Sequence, residues 1–280
     1  MKFGFVTCVQ LGLSCMEEIY KVGGNLDLVI TLRDELANHK SGRVYVDQFC
    51  ATNDVDMLKI KNVNDDDAVA AIKEHEIDWL FIIGWSQIAR RAVLTAPRRG
   101  VLGMHPTLLP VGRGRAAIAW AIIRDLSETG VTLFQLDEGV DTGPIIAQER
   151  LPLASNETAT TLYQRVTEAH ARLIGRVWPD LIADRVRAVP QQEEQASVWE
   201  GRKPTDGQLN STMTVSEVER LVRATTRPYP GAFWHDGSTM LRIWQGKVSS
   251  AAEPPEPGVR RLHFSDGAYD VLHYDVEAAV

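Results

Sequence analysis

The 280-residue chain predicts an α/β fold: a Rossmann-like, doubly wound, mostly parallel sheet followed by a small C-terminal β domain of OB-like kind. Three observations point there. Apolar runs alternate with helical patterns over the first half, and a long amphipathic segment follows. Beyond a Gln, Glu and Pro rich stretch, the chain turns to short strands punctuated by Asp-Gly and Pro.

Taken in order, Phe3 to Val9, Leu28 to Leu32, Trp79 to Ile83 and Val101 to Met104 read as strands, each a short apolar run suited to a sheet covered on both faces. Leu13 to Val22 and Ala68 to His75 read as helices, the second after the acidic turn Asn64-Asp65-Asp66-Asp67 that suits a positive helix N-terminus. Arg115 to Asp125 reads as a helix, and Val131 to Leu136 and Ile145 to Leu153 as strands. From Ser155 to Arg187, Leu162, Val166, Ala169, Leu173, Val177 and Leu181 mark one face of a long helix, with Ser155 or Asn156 as its expected cap. Residues 190–206 lack periodicity and read as a linker, dividing a catalytic domain (1–189) from a small β domain (207–280). There Val215 to Arg223 is a short helix, and Ala232 to Val248 a strand pair turned at Asp236-Gly237.

Hydrophobic residues at 44% and charged residues at 24% describe an ordinary globular chain. The start MKFGFVTCVQLGL is interrupted by Gln10, carries no cleavage signal and reads as a first strand. Cys8, Cys15 and Cys50 have neither disulfide nor zinc-ligand spacing, so no metal is expected and a reducing cytoplasm fits. No apolar run is long enough to predict a membrane helix. The formal net charge of -7 is unlike the basic footprint of a nucleic-acid binder. A homodimer remains compatible with the aromatic β elements, although Trp234, Trp244, Trp79, Trp85 and Trp120 are read first as core residues.

The first turn, VTCVQLG, has no GxGxxG, and no GxxxxGK[ST] occurs, so a nicotinamide dinucleotide or phosphate loop is not expected. The carboxyl edge of the sheet carries GMHPTLLP instead, with His105 at a strand end, where an imidazole faces the ligand crevice and titrates near neutrality. Alone, such a histidine is more often structural. The run LDEGVDTGP places Asp137, Glu138 and Asp141 in one turn, either a solvated acidic loop or the source of a carboxylate that orients an imidazole.

Together, GMHPTLLPVGRGR, TGVTLFQLDEGVDTGPIIAQ and RPYPGAFW resemble the folate-dependent formyltransferase family over nearly the whole chain. The resemblance implies transfer of a formyl group from 10-formyltetrahydrofolate to an amine. It makes His105 the proton shuttle and Asp141 its charged partner, with Ser86, Gln87 and Ile88 as the edge that binds the pterin. Leu136, Asp137, Glu138, Gly139 and Val140 then lead into Asp141 over the ring. One departure stands out: where the family has an Asn whose amide donates to the oxyanion, this chain has Gly103. Losing such a donor slows acyl transfer by roughly 10² to 10³. Thr107, Gln135 or the substrate could replace it, or the chain has specialised to another transfer, or it binds without efficient turnover. On this reading Gly103→Asn is expected to leave the fold intact.

Among acceptors, a nucleotide-linked amino sugar is preferred. The run Arg113-Gly114-Arg115 resembles the 4-amino-arabinose formyltransferase more than the methionyl-tRNA enzyme, and Arg115 is expected to hold a phosphate or the cofactor's carboxylate. Acceptor contacts are expected on variable loops, such as Thr31 to Gln48 with Arg33, Lys40 and Arg43, which no pattern here decodes. The alternatives are another amine (a natural-product precursor or methionyl-tRNA), a formyltetrahydrofolate hydrolase, or a weakly catalytic folate- or nucleotide-binding homologue.

Overall fold

The apolar runs of the first half become the inner strands of one sheet. The computed structural model describes residues 1–39, 42–237, 239–250 and 254–278, excluding the side chains of 37–39. In chain order its first elements are β1 (Phe3–Val6), α1 (Gln10–Lys21), β2 (Leu28–Leu32), α2 (Asp47–Asn53), β3 (Asp56–Ile60), α3 (Asp66–Glu74), β4 (Trp79–Ile82), α4 (Arg91–Leu94) and β5 (Gly100–His105). Next come β6 (Arg113–Gly114), α5 (Ala117–Ile123), β7 (Glu128–Gln135), β8 (Ile145–Pro152), α6 (Ala159–Ile182) and β9 (Val198–Trp199). Last are α7 (Val215–Thr225), β10 (Ala232–Asp236), β11 (Thr239–Ser249), β12 (Arg260–Phe264) and β13 (Gly267–Ala278).

The chain divides into two compact units, Met1–Arg113 with Gly130–Leu151 and Val166–Val198, and Gly114–Thr129 with Pro152–Arg165 and Trp199–Val280. The seven-stranded sheet runs β3-β2-β1-β4-β5-β7-β8, parallel from β3 to β5, with β7 antiparallel to β5. Strands β1, β2 and β4 are buried at every position, as a sheet covered on both faces requires. Because the chain moves outward from β1 to β3 and then returns to the other side at β4, the order reverses between β1 and β4, which is where open α/β sheets leave a crevice at their carboxyl ends.

The α/β class and the small antiparallel β domain are as expected, and the differences have local causes. Strand β3 escaped the sequence reading because it is a sheet edge whose residues are mostly half exposed, so no apolar run marks it. Helix α3 begins at Asp66 behind Asp65, with Asp66 and Asp67 in its first turn, as the acidic run suggested. Helix α6 starts later than expected: neither Ser155 nor Asn156 caps it, and the Thr158 hydroxyl accepts from Thr161 N instead. Leu162, Val166, Ala169, Leu173, Val177 and Leu181 are buried along it.

In the second unit, β10-β11-β13-β12 form an antiparallel sheet against α7, whose apolar stripe of Val218, Leu221 and Val222 meets Leu241, Ile243, Leu262, Tyr269 and Val271. Thr214 and Glu217 close a reciprocal capping box at its start. Asp236-Gly237 turns β10 into β11, with Gly237 at φ 63°. The tryptophans divide: Trp79 is buried, whereas Trp244 is half-buried under the Arg227 guanidinium at 4.5 Å and donates from Nε1 to Asp275. Trp120 is likewise half-buried, beside Arg124 and Arg202. Among the described residues no helix is long and apolar enough to cross a membrane.

Candidate active site

His105 is the last residue of β5, and its register partner on β7 is Thr132. The imidazole is buried at 8% exposure, between a carbonyl and a carboxylate. Its Nε2–H donates to Gly112 O at 2.8 Å, and Nδ1 lies 3.5 Å from Asp141 Oδ2. Since a carbonyl can only accept, it fixes a proton on Nε2 and leaves Nδ1 facing the carboxylate.

The chain after His105 is fixed by Thr132, whose Oγ1 donates to Thr107 O at 2.7 Å and accepts from Leu109 N and from Gln148 Nε2. Gln148 Nε2 also reaches Leu109 O at 2.8 Å. The turn that carries Asp141 is organised from within: Asp137 Oδ1 accepts from Gly139 N and from the Thr142 hydroxyl at 2.7 Å. At its end, a β-carbon on Gly143 would lie 1.8 Å from Gln135 O, so the close return to β7 demands glycine. Asp141 sits in the left-handed region at φ 55°, an uncommon place for a residue with a β-carbon.

The remaining expected residues are distributed as follows. Gln87 commits its side chain to structure: Oε1 accepts from Val63 N and Trp85 Nε1, and Nε2 donates to Lys61 O. Ser86 and Ile88 are exposed on this edge after β4, and Ile88 O accepts from Asn64 Nδ2 at 2.9 Å. Glu138, Gly139 and Val140 are exposed and Leu136 is half-buried. Arg115 is exposed ahead of α5 in the second unit. Arg43 does not point outward; its guanidinium donates to Thr31 Oγ1 and Leu32 O inside the first unit, while Arg33 donates to Lys59 O. Lys40 lies outside the described residues.

Gly103 has a neighbour that no local motif marks. A β-carbon there would lie 2.6 Å from Leu136 Cδ2 and 3.1 Å from Leu136 Cγ, so the leucine occupies the place of a side chain at 103. Gly103→Asn therefore cannot enter without moving Leu136. Gln135 is no substitute donor: its amide lies against Gly100, at the opposite end of β5 from His105. Thr107 Oγ1 is buried without a hydrogen-bond partner among the described residues.

Two groups next to this site carry no sequence motif. His170, on α6 and buried at 1% exposure, donates from Nδ1 to Val166 O; desolvation, with His105 nearby, pushes its pKa down to about 4. Arg113, also buried, reaches Gln191 and Glu193 and is held above its ordinary pKa by its hydrogen bond to the Glu193 carboxylate. Among the described residues, no cluster of His, Cys, Asp and Glu is placed to hold a metal ion.

Residues 16–177 match the formyl transferase family and residues 202–272 the formyl transferase C-terminal domain. The chain belongs to the formyl transferase family. This formyltransferase shares its fold with an N-formyltransferase from Helicobacter canadensis solved with folinic acid and dTDP-3-aminofucose, at 18% identity, covering 98% of this chain and 100% of that one, with a TM-score of 0.74. It is also similar to methionyl-tRNA formyltransferase from Clostridium thermocellum at 16% identity, covering 100% of both chains with a TM-score of 0.64. A third match is HypX from Aquifex aeolicus in complex with tetrahydrofolic acid, at 16% identity, covering 98% of this formyltransferase and 44% of that chain, with a TM-score of 0.70. At these identities the likeness establishes the fold of the formyltransferase, not its acceptor.

Proposed function

We propose that the enzyme transfers the formyl group of 10-formyltetrahydrofolate to the amine of a nucleotide-linked amino sugar, with His105 as proton shuttle and Asp141 as its charged partner. The observation that carries this reading is the buried imidazole with Nε2 fixed on Gly112 O and Nδ1 facing the Asp141 carboxylate. When bound, the donor supplies a formyl carbon open to attack by the amine. The edge 86–88 and the loop 136–141 would hold it. His105 takes the proton the amine loses, at Nδ1, and returns it to the nitrogen that departs, while Asp141 stabilises the imidazolium between the two transfers. Arg115, exposed at the start of α5, is free in reach to pair with a phosphate or carboxylate.

The amino-sugar acceptor is supported by the Helicobacter relative, which was solved with dTDP-3-aminofucose, and by the net charge of -7, which disfavours a polyanionic tRNA. Buried thiols at Cys8, Cys15 and Cys50 suit a reducing cytoplasm.

Donor loss followed by mass spectrometry, with and without a panel of amino-sugar nucleotides, tests the reading. Formylated sugar nucleotide formed only when the amine is present supports it. Donor loss without any amine indicates a hydrolase, and binding without turnover a quiet homologue. His105→Ala should lower turnover by about 10² to 10⁴; unchanged turnover in that variant sinks the proposed mechanism.

A further inference from the structure

Gln191 touches the loop that carries Asp141 at two points. Its Nε2 donates to Asp141 O at 2.8 Å and to Gly143 O at 2.7 Å, spanning Thr142. Its Oε1 accepts from Arg113 Nε at 3.1 Å and Nη2 at 2.8 Å. Those four partners fix which end of the amide is oxygen, since only donors face one end and only carbonyls the other. The Arg113 guanidinium is itself held by Glu193, through Nη1 at 2.9 Å and Nη2 at 2.6 Å.

The same segment ties the other partner of the pair. Gly112, whose carbonyl holds His105 Nε2, donates from its own N to Ser197 Oγ, and Arg113 N donates to Ser197 O, both at 2.9 Å. Val189 and Ile145 exchange both backbone hydrogen bonds at 2.8 Å, which fixes the entry of this strap beside β8. Asp141 stands in the left-handed conformation at φ 55°, where a residue with a β-carbon is uncommon. The Gln191 amide supplies the hold from outside the loop.

We propose that Gln191, aimed by Arg113, is a positioning residue that sets the distance between Asp141 and His105. This rests on the reading of His105 and Asp141 given above. The groups that face the imidazole are Asp141 from the loop and His170 from α6, and Arg113 is the cation nearest the Asp137 and Asp141 carboxylates.

Gln191→Met keeps the length of the side chain and removes both donors. Expected are a kcat lower by about 10-fold with KM for the acceptor little changed. In the substrate-free protein, the ¹⁵N shifts of the His105 ring should change as the carboxylate retreats. Arg113→Lys leaves a cation opposite Glu193 but no fork to aim Gln191, and should move both readouts the same way by less. If a soluble Gln191→Met variant keeps the wild-type His105 ring shifts or the wild-type kcat, the positioning role is overturned. Should His105→Ala retain turnover, the catalytic reading fails instead, while the ring shifts of the Gln191 variant still report whether Gln191 controls Asp141.

Discussion

At Gly103, where the resemblance places an oxyanion donor, this chain has no side chain, and Leu136 fills the space. The two positions form one unit: an asparagine at 103 meets Leu136 Cδ2 at its first carbon. Gly103→Asn alone forces Leu136 to turn aside, and is expected to reduce activity by displacing the head of the 136–141 loop more than it lowers stability. Adding Leu136→Ala opens the space, and the double variant should exceed the single one in kcat by about 10² if the new amide reaches the oxyanion. Thermal unfolding and steady-state kinetics of the three variants check this, and equal kcat in single and double variants refutes the exchange. The sequence displayed His105 and Asp141 because each sits in a dense local motif. It could not display Leu136 as the occupant of position 103, since that depends on a rotamer across strands. Nor could it display Gln191, which lies 50 residues from Asp141 in a stretch whose composition looks like linker.

At the scale of elements, the parallel strands were legible because full burial writes continuous apolar runs, whereas β3 and α2, at the sheet edge, left no such mark. Helix α6 was legible as an amphipathic stripe, yet the stripe conceals that one buried position is His170. Its pKa, about 4 in the folded chain against 6.5 for the free side chain, means that the unfolded chain binds a proton the folded chain refuses between those values. Stability should therefore fall as pH drops from 6.5 toward 4 and level off below, by about 2 kcal/mol between pH 7.5 and 5. His170→Leu should flatten this slope. Urea unfolding at the two pH values measures it, and an unchanged slope excludes His170 as the source. A neutral His170 at working pH also leaves His105 without a second cation beside it.

Across the whole molecule, the histidine and the carboxylate whose pKa is pushed furthest down lie one in each unit, and they act in different pH windows. In the second unit, Asp270 is buried at 2% exposure and held by the Arg261 guanidinium and the Ser249 hydroxyl, joining β11, β12 and β13. Its carboxyl is pushed down to about 2 from 3.8, chiefly by the hydrogen bond from Arg261. The stability it confers is complete above the unfolded value and is lost as pH falls through about 2, an upper bound of about 2 kcal/mol that solvent screening reduces. Acid titration of the chain should then show the His170 contribution leaving the first unit between pH 6.5 and 4, and the Asp270 contribution leaving the second between 4 and 2. Asp270→Asn removes the Asp270 contribution from the lower window. It also strands Arg261, whose side chain is only 9% exposed, so at neutral pH it should cost about 3 kcal/mol confined to the second unit. Hydrogen exchange read separately for strands β11 to β13 and for β1, β4 and β5 distinguishes the cases: faster exchange in the first group alone is expected, and equal acceleration in both would show that the two units do not unfold independently.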